Sequence, residues 1–382
     1  MNALKKNILI LSPFFRPNIG GAENYLDDLC EYLRRKLYQV TVITYQPLTT
    51  KARGKLYEKN GTLEIYRVPW FGNNLFHKLE PYPILEFIYL TPGILAFSFI
   101  FMLARSGYFS VIHSNGMVAA LVGKFLSRVF KKRLVVSTCA VYDFRPGSSL
   151  AKAVKLILLG SNGILALGGS SKRELVSIGL PSAKINTYNL WVDQKKYFPA
   201  PKEQAKKSLG LDGKFIVLFV GRFIKKKGIE VLLEVADKVD KRISFVFIGD
   251  DSPSGALVRK AANESKNIVM VKGIRAAQLI PYYQAADLLA VPSLYEEAFG
   301  KVIIEALSCG TPVIGSNKGE IPSVINHSVG RVVEPTVENF KREIENFYFN
   351  RQVLLDITAD CRAYAQKHFS EKNIEIITNS YN

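Results

Sequence analysis

Short apolar runs recur along the chain at helix-sized intervals, and this alternation restricts the fold more than any other feature. Asn7–Ser12, Gln39–Thr44, Leu63–Val68, Ser110–Asn115, Arg133–Thr138 and Gly163–Leu167 read as strands. Between the first two, Ala22, Tyr25, Leu26, Leu29, Cys30 and Leu33 recur at helical spacing and give one buried stripe. A second series starts after Pro199-Ala200-Pro201, with strands at Phe215–Val220, Ile243–Ile248, Ile268–Val271 and Leu288–Val291 and a further apolar run at Pro312–Gly315. Strands separated by helix-length segments need parallel crossovers, which build a doubly wound sheet. The expectation is an α/β protein with two Rossmann-like doubly wound domains facing a central cleft. The boundaries read as 1–198 and 199–365, with 366–382 a helical segment packing back on the first domain. A chain of 382 residues, 48% of them hydrophobic, can fill two such cores.

The charge is uneven. Residues 1–198 carry 26 Lys and Arg against 11 Asp and Glu, a balance of +15, whereas residues 199–382 carry 25 against 22, a balance of +3. A basic half wants an anionic partner. No zinc-finger, RNA-binding or helix-turn-helix signature accompanies it, so nucleic acid is not expected. Two basic clusters, Arg34-Arg35-Lys36 and Lys124, Arg128, Lys131, Lys132 and Arg133, make an anionic membrane surface the candidate partner. Phe87–Ala104 is an uncharged run of 18 residues broken by Pro92-Gly93. Its length leaves three readings open: a buried helix, a contact with a membrane interface, or a span. The four cysteines show neither metal spacing nor a pairing pattern, and Met1–Lys6 lacks the apolar region of a secretory signal. The expected location is cytoplasmic, peripheral on the inner face of the membrane.

Glu297–Pro312 carries the densest chemistry. Val302, Ile303, Ala306 and Leu307 form a helical pattern between two strand-like runs, with Gly300 opening the helix and Gly310 closing it. A helix that starts just after a strand offers unpaired N–H groups and a positive dipole end to a phosphate. Glu297 precedes that helix and Glu305 lies within it, eight residues on. Pro13 to Glu23 contains Gly20-Gly21, where the backbone can approach a ligand closely. Gly221-Arg222-Phe223-Ile224-Lys225-Lys226-Lys227-Gly228 forms a basic loop after the first strand of the second series.

These strings resemble glycosyltransferase family 4 over essentially the whole chain. Glu297 and Glu305 match its Glu-x7-Glu spacing, Gly20-Gly21 its diglycine loop, and Gly221-Arg222 with Lys227-Gly228 its basic signature. Asn189-Leu190-Trp191-Val192-Asp193 is similar to its Asn-Gly-Val-Asp, with Trp191 in place of glycine. The resemblance implies the GT-B fold and transfer of a sugar from a nucleotide-sugar donor to a hydroxyl of a glycan or lipid-linked acceptor, with retention of configuration. It implies that Arg222 and Lys227 neutralise the donor diphosphate, that Glu297 touches the sugar and that Glu305 accepts from the ribose. Gly20, Gly21, Gly221, Gly249, Phe299, Gly300 and Lys301 are then donor-binding residues. No Asp-x-Asp triplet is present, which agrees with neutralisation by these cations and a helix N-terminus; neither metal nor other cofactor is expected.

One departure stands out. The family usually carries a histidine after the strand corresponding to Arg133–Thr138, and here Cys139-Ala140-Val141-Tyr142-Asp143 follows. His113, Cys139 and Asp143 are the candidate acceptor-side residues, with His113 equally open to a reading as a hydrogen-bonded structural histidine. The alternatives are a sugar-nucleotide-binding homologue without catalysis, and a sugar-nucleotide epimerase on the same fold.

Overall fold

A computed structural model describes residues 6–18, 21–48, 52–71, 75–79, 81–139, 142, 144–249, 254–273 and 276–382. Gly20 and Asp143 therefore lie outside the described residues. The chain divides into two compact units, one made of the residues up to Tyr188 together with Ile374–Asn382, the other of Asn189–Asn373.

The first unit is built on eight strands: β1 (Asn7–Leu11), β2 (Gln39–Tyr45), β3 (Tyr57–Asn60), β4 (Leu63–Val68), β5 (Val111–Asn115), β6 (Arg133–Thr138), β7 (Gly163–Leu167) and β8 (Ile185–Tyr188). Their order in the sheet is β3-β4-β2-β1-β5-β6-β7-β8. All pairs are parallel except β3 with β4. The helices are α1 (Gly21–Arg35), α2 (Leu75–Leu79), α3 (Pro83–Arg105), α4 (Met117–Phe130), α5 (Ser149–Leu158) and α6 (Gly168–Ser177). β1 leads to β2 through α1 in one direction along the sheet, and β5 leads to β6 through α4 in the other. Right-handed crossovers then put α1 and α4 on opposite faces. α3 packs on α4, and α4 on α5, so these three form one layer. The two basic clusters consequently flank opposite faces of the sheet, both at the end where its strands begin. Arg34 is moreover held by Glu31 at 2.6 Å.

The second unit has six parallel strands, β9 (Phe215–Val220), β10 (Ile243–Gly249), β11 (Ile268–Lys272), β12 (Leu288–Val291), β13 (Val313–Ser316) and β14 (Gly330–Val333). They are ordered β11-β10-β9-β12-β13-β14. Its helices are α7 (Lys202–Ser208), α8 (Ile229–Lys238), α9 (Gly255–Glu264), α10 (Ala276–Ala285), α11 (Lys301–Ser308), α12 (Ile321–Val324), α13 (Val337–Phe349) and α14 (Arg351–His368). α15 (Ile374–Asn379) returns to the first unit.

The unit boundary falls at Tyr188 and not at 198, and the return comes at Ile374 and not at 366. Arg362 accounts for the first shift: its guanidinium donates to the carbonyls of Gln194, Tyr197 and Ser308 at 2.6–2.9 Å, which ties residues 189–198 to α14. The return is fixed by Lys6 Nζ donating to the Tyr381 carbonyl at 2.6 Å and Arg133 Nε to that of Ser380 at 3.0 Å. Trp191, at the position where the family pattern has glycine, is buried inside the second unit, and Val192 N–H donates to the Phe369 carbonyl.

Candidate active site

In an open parallel sheet, ligands bind beyond the carboxyl ends of the strands, where neighbouring connections leave in opposite directions. In the second sheet that point lies between β9 and β12. The loop after β9 holds Gly221 to Gly228, and the loop after β12 holds Pro292 to Gly300. The two loops are stitched together by Leu294 N–H donating to the Lys226 carbonyl at 2.8 Å. Gly228 has φ +73°, and a Cβ there would stand 1.9 Å from the Pro292 carbonyl oxygen. Only glycine tolerates that approach.

Lys227 and Glu297 meet across this seam. Lys227 Nζ donates to both carboxylate oxygens, at 2.7 and 2.8 Å, and Ser293 Oγ donates to Glu297 Oε2 at 2.9 Å. The ammonium also sits 5.2 Å from the ring centroid of Tyr295. Burial pulls the Lys227 pKa down and Glu297 pushes it up; the carboxylate prevails and the value ends above that of an ordinary lysine. Glu297 is only 8% exposed. Its backbone rests on Gly319, where φ is +58° and a Cβ would stand 2.1 Å from the Glu297 carbonyl oxygen.

The other expected donor residues fall into two groups. Arg222 is exposed on the same loop as Lys227. Gly300 is the left-handed N-cap of α11 at φ +75°, and Lys301 is its first residue. Gly249 closes β10 against the carbonyl of Gly221, and Gly21 begins α1. Phe299, by contrast, is buried edge-on against Phe369, with ring centroids 5.9 Å apart. Glu305 also points into the domain: it is 5% exposed, and accepts from Tyr283 Oη at 2.8 Å and Tyr197 Oη at 3.3 Å. The eight-residue spacing therefore does not present both carboxylates to one open surface. Glu305 anchors α11 to α10 and to the residue 189–198 segment.

The first sheet reverses between β1 and β5. Asn115 Nδ2 donates to Ser12 Oγ at 3.4 Å, and Cys139 Sγ donates to Asn115 Oδ1 at 2.9 Å, so three strand ends share a polar chain. Glu174, on α6, receives the backbone N–H groups of Tyr142 and Phe144 at 2.9–3.1 Å and holds the loop after Cys139. Sequence reasoning missed Ser12, Asn115, Glu174, Ser293 and Tyr295. The polar strand ends Ser12 and Asn115 become readable once the strand order is known; Tyr295 and Glu174 carry no local signal.

His113 is not an acceptor-side residue. It is fully buried, with its ring nitrogens 2.8 Å from Tyr381 Oη and 2.7 Å from Ser137 Oγ. Burial lowers its pKa to about 4. Below pH ~6.5 the unfolded chain takes up a proton that the folded protein refuses until about pH 4. The stability that depends on neutral His113 is complete above ~6.5 and is lost as pH falls from there toward 4. At pH 5 the loss is about 2 kcal/mol. Unfolding free energies from urea titrations at pH 7 and 5 are expected to differ by this amount more in the wild type than in His113→Gln; equal differences would contradict it.

Two family models cover the chain. Glycosyltransferase Family 4 matches residues 19–196, and Glycosyl transferases group 1 matches residues 201–368. The chain belongs to glycosyltransferase family 4. Among the relatives, D-inositol 3-phosphate glycosyltransferase of Gordonia bronchialis is 28% identical over 304 residues, which is 72% of this chain and 66% of that relative's length. A phosphatidylinositol N-acetylglucosaminyltransferase component from Arabidopsis thaliana is 24% identical over 354 residues, 89% of this chain and 74% of the relative. Sucrose-phosphate synthase from Thermosynechococcus elongatus superposes with a TM-score of 0.79 at 22% identity, covering 98% of each chain. Anabaena HepE in complex with UDP-glucose gives 0.77 at 18%, again over 98% of each. These structures show the GT-B fold: two Rossmann-like units, each on its own parallel sheet.

Proposed function

We propose that the protein transfers a hexosyl group from a nucleotide-sugar donor to a hydroxyl of a glycan or lipid-linked acceptor, with retention and without a metal ion. The observation that carries this is the Lys227–Glu297 pair, seated where β9 and β12 part. A diphosphate entering there competes with Glu297 for the ammonium. Lys227 then turns to phosphate, joined by Arg222 and the N–H groups at the start of α11, and Glu297 turns to the sugar hydroxyls. In the reaction the bond from the anomeric carbon to the phosphate oxygen breaks, and a bond to the acceptor oxygen forms on the same face. The acceptor proton passes to the departing diphosphate. Charge grows on that diphosphate in the transition state, so fixed cations beside it lower the barrier. This route needs no enzymic base, and Cys139 in the usual place of a histidine is compatible with it. HepE with UDP-glucose and the inositol-directed relatives support the donor and acceptor classes.

The test is a panel of UDP-, GDP- and ADP-sugars. A cognate donor at 100 times its Kd is expected to stabilise the protein by about 2.7 kcal/mol, and transfer to an acceptor then follows by product assay. No stabilisation by any donor refutes the reading, and stabilisation without transfer to any acceptor identifies a binding protein. Within this site Arg222→Ala is expected to weaken donor binding and slow transfer, removing charge-assisted bonds worth about 1.5–3 kcal/mol. Lys225→Ala, on the exposed side of the same turn, is expected to change both far less. Equal effects at the two positions remove Arg222 from the site.

A further inference from the structure

The outer face of α3 is apolar where a solvated helix carries charge. Leu85, Ile88, Pro92, Ala96, Ile100 and Leu103 are all exposed and follow one another at intervals of three and four residues. They form a stripe about 27 Å long at 1.5 Å per residue. Ile88, Ile100 and Leu103 are each about three-fifths exposed. The stripe continues sideways: Phe99 meets Phe125 of α4 at 5.8 Å between ring centroids, and Phe125, Val129, Leu156 and Leu150 are exposed along α4 and α5. Scattered exposed apolar residues need no explanation, but a contiguous face across three packed helices does.

The opposite side of α3 is locked into the unit. Tyr45 Oη donates to the Leu90 carbonyl and accepts from Ile94 N–H, both at 2.7 Å, which fills the opening that Pro92 makes in the helix ladder. Trp70 Nε1 donates to the Tyr89 carbonyl at 3.1 Å, and its ring lies where a side chain at Gly93 would stand. Leaving the sheet to span a bilayer would break these bonds. It is the one helix among the described residues long and apolar enough to do so, yet a third of its most apolar window is buried.

We propose that the α3–α4–α5 face docks on an anionic phospholipid bilayer, with α3 lying in the plane of the interface. Charge selects this occupant. Between Glu86 and Glu174 the sequence holds eleven Lys and Arg against a single carboxylate, Asp143. Arg128, Lys131 and Lys152 are exposed on α4, just beyond it and on α5, beside the apolar residues. Tyr82 and Tyr108, half-exposed or more, flank the two ends of α3, as amphipathic rings do at a headgroup boundary. A second copy of the chain would press this positive face against itself. The inference goes beyond the transferase reading, because lipid binding is measured with neither donor nor acceptor.

The full chain is sedimented with phosphatidylcholine vesicles with and without phosphatidylglycerol. Binding is expected only with the anionic lipid, and it weakens as salt rises. Each of Arg128→Gln, Lys131→Gln and Lys152→Gln is expected to lower affinity roughly fivefold. Ile100→Glu and Leu103→Glu, at exposed positions that leave the melting curve unchanged, are each expected to lower it at least about tenfold. Ile88→Trp and Ile100→Trp stand about 18 Å apart along the helix. Brominated lipids should quench both from the same depth; different depths indicate a spanning helix and overturn the proposal. No sedimentation with anionic vesicles at low salt overturns it too. So does a lipid-free dimer that Ile100→Glu dissociates, which assigns the face to a second copy.

Discussion

Lys227→Ala is expected to lower kcat/KM for sugar transfer by a factor of about 10²–10³, the loss seen when one preorganised donor to a developing negative charge is removed. The substitution does two things at once. On the proposed reading it takes the cation from the leaving diphosphate, and it leaves Glu297, 8% exposed, with Ser293 Oγ in place of an ammonium. Glu297→Gln separates them, since it preserves shape and frees Lys227 for phosphate. Glu297→Gln is expected to reduce kcat more than donor affinity if its bond to the sugar strengthens in the transition state. In a double-mutant cycle the two changes should be strongly non-additive, because each removes the other's partner. Additive losses, or a Lys227→Ala enzyme as active as the wild type, would place the diphosphate elsewhere.

Gly228→Ala is expected to be the most destabilising single methyl group at this site. Both Gly228 and Gly213 have positive φ, +73° and +69°, so alanine at either carries the left-handed penalty of about 1–2 kcal/mol. At Gly213 nothing lies within 4 Å of the new Cβ, whereas at Gly228 the Pro292 carbonyl oxygen is 1.9 Å away. The loops after β9 and β12 must then separate, and the total loss is expected to exceed about 4 kcal/mol, among the largest single-residue effects. Melting temperatures of the two variants are the measurement. A domain of this size loses roughly 2–4 °C per kcal/mol, so Gly228→Ala should melt at least several degrees below Gly213→Ala. Equal melting temperatures would show that the two loops do not need each other.

The sheets were legible wherever strands are buried on both sides. Leu63–Val68, Arg133–Thr138, Gly163–Leu167, Phe215–Val220 and Leu288–Val291 read from apolar runs alone and are found at those bounds. The strands missed are β3, β8 and β14, all at sheet edges. An edge strand pairs on one side only and needs little apolar sequence; Tyr57-Glu58-Lys59-Asn60 shows none. The candidate site was legible as separate strings, because glycine spacing and charge are local. The joining of Lys227 to Glu297, 70 residues apart in sequence, was not, since it depends on β9 lying beside β12. Glu305 was read as accepting from a ribose, and nothing near it in sequence announces Tyr197 and Tyr283. His113 stayed open between a cleft residue and a structural histidine for the same reason: its partner Tyr381 is 268 residues away.

Residues 374–382 belong to the first unit although the whole second unit precedes them in the chain. A ribosome therefore delivers every residue of the second unit before it can complete the first. At 5–20 residues per second the interval between Tyr188 and Ile374 is roughly 10–40 s. Throughout it, the face of the first sheet around His113 and Ser137 lacks the Tyr381 ring that covers it, and Arg133 lacks the Ser380 carbonyl. The half that emerges first is the half that finishes last, and a stalled or clipped chain leaves its uncovered surface available to chaperones and to other nascent chains.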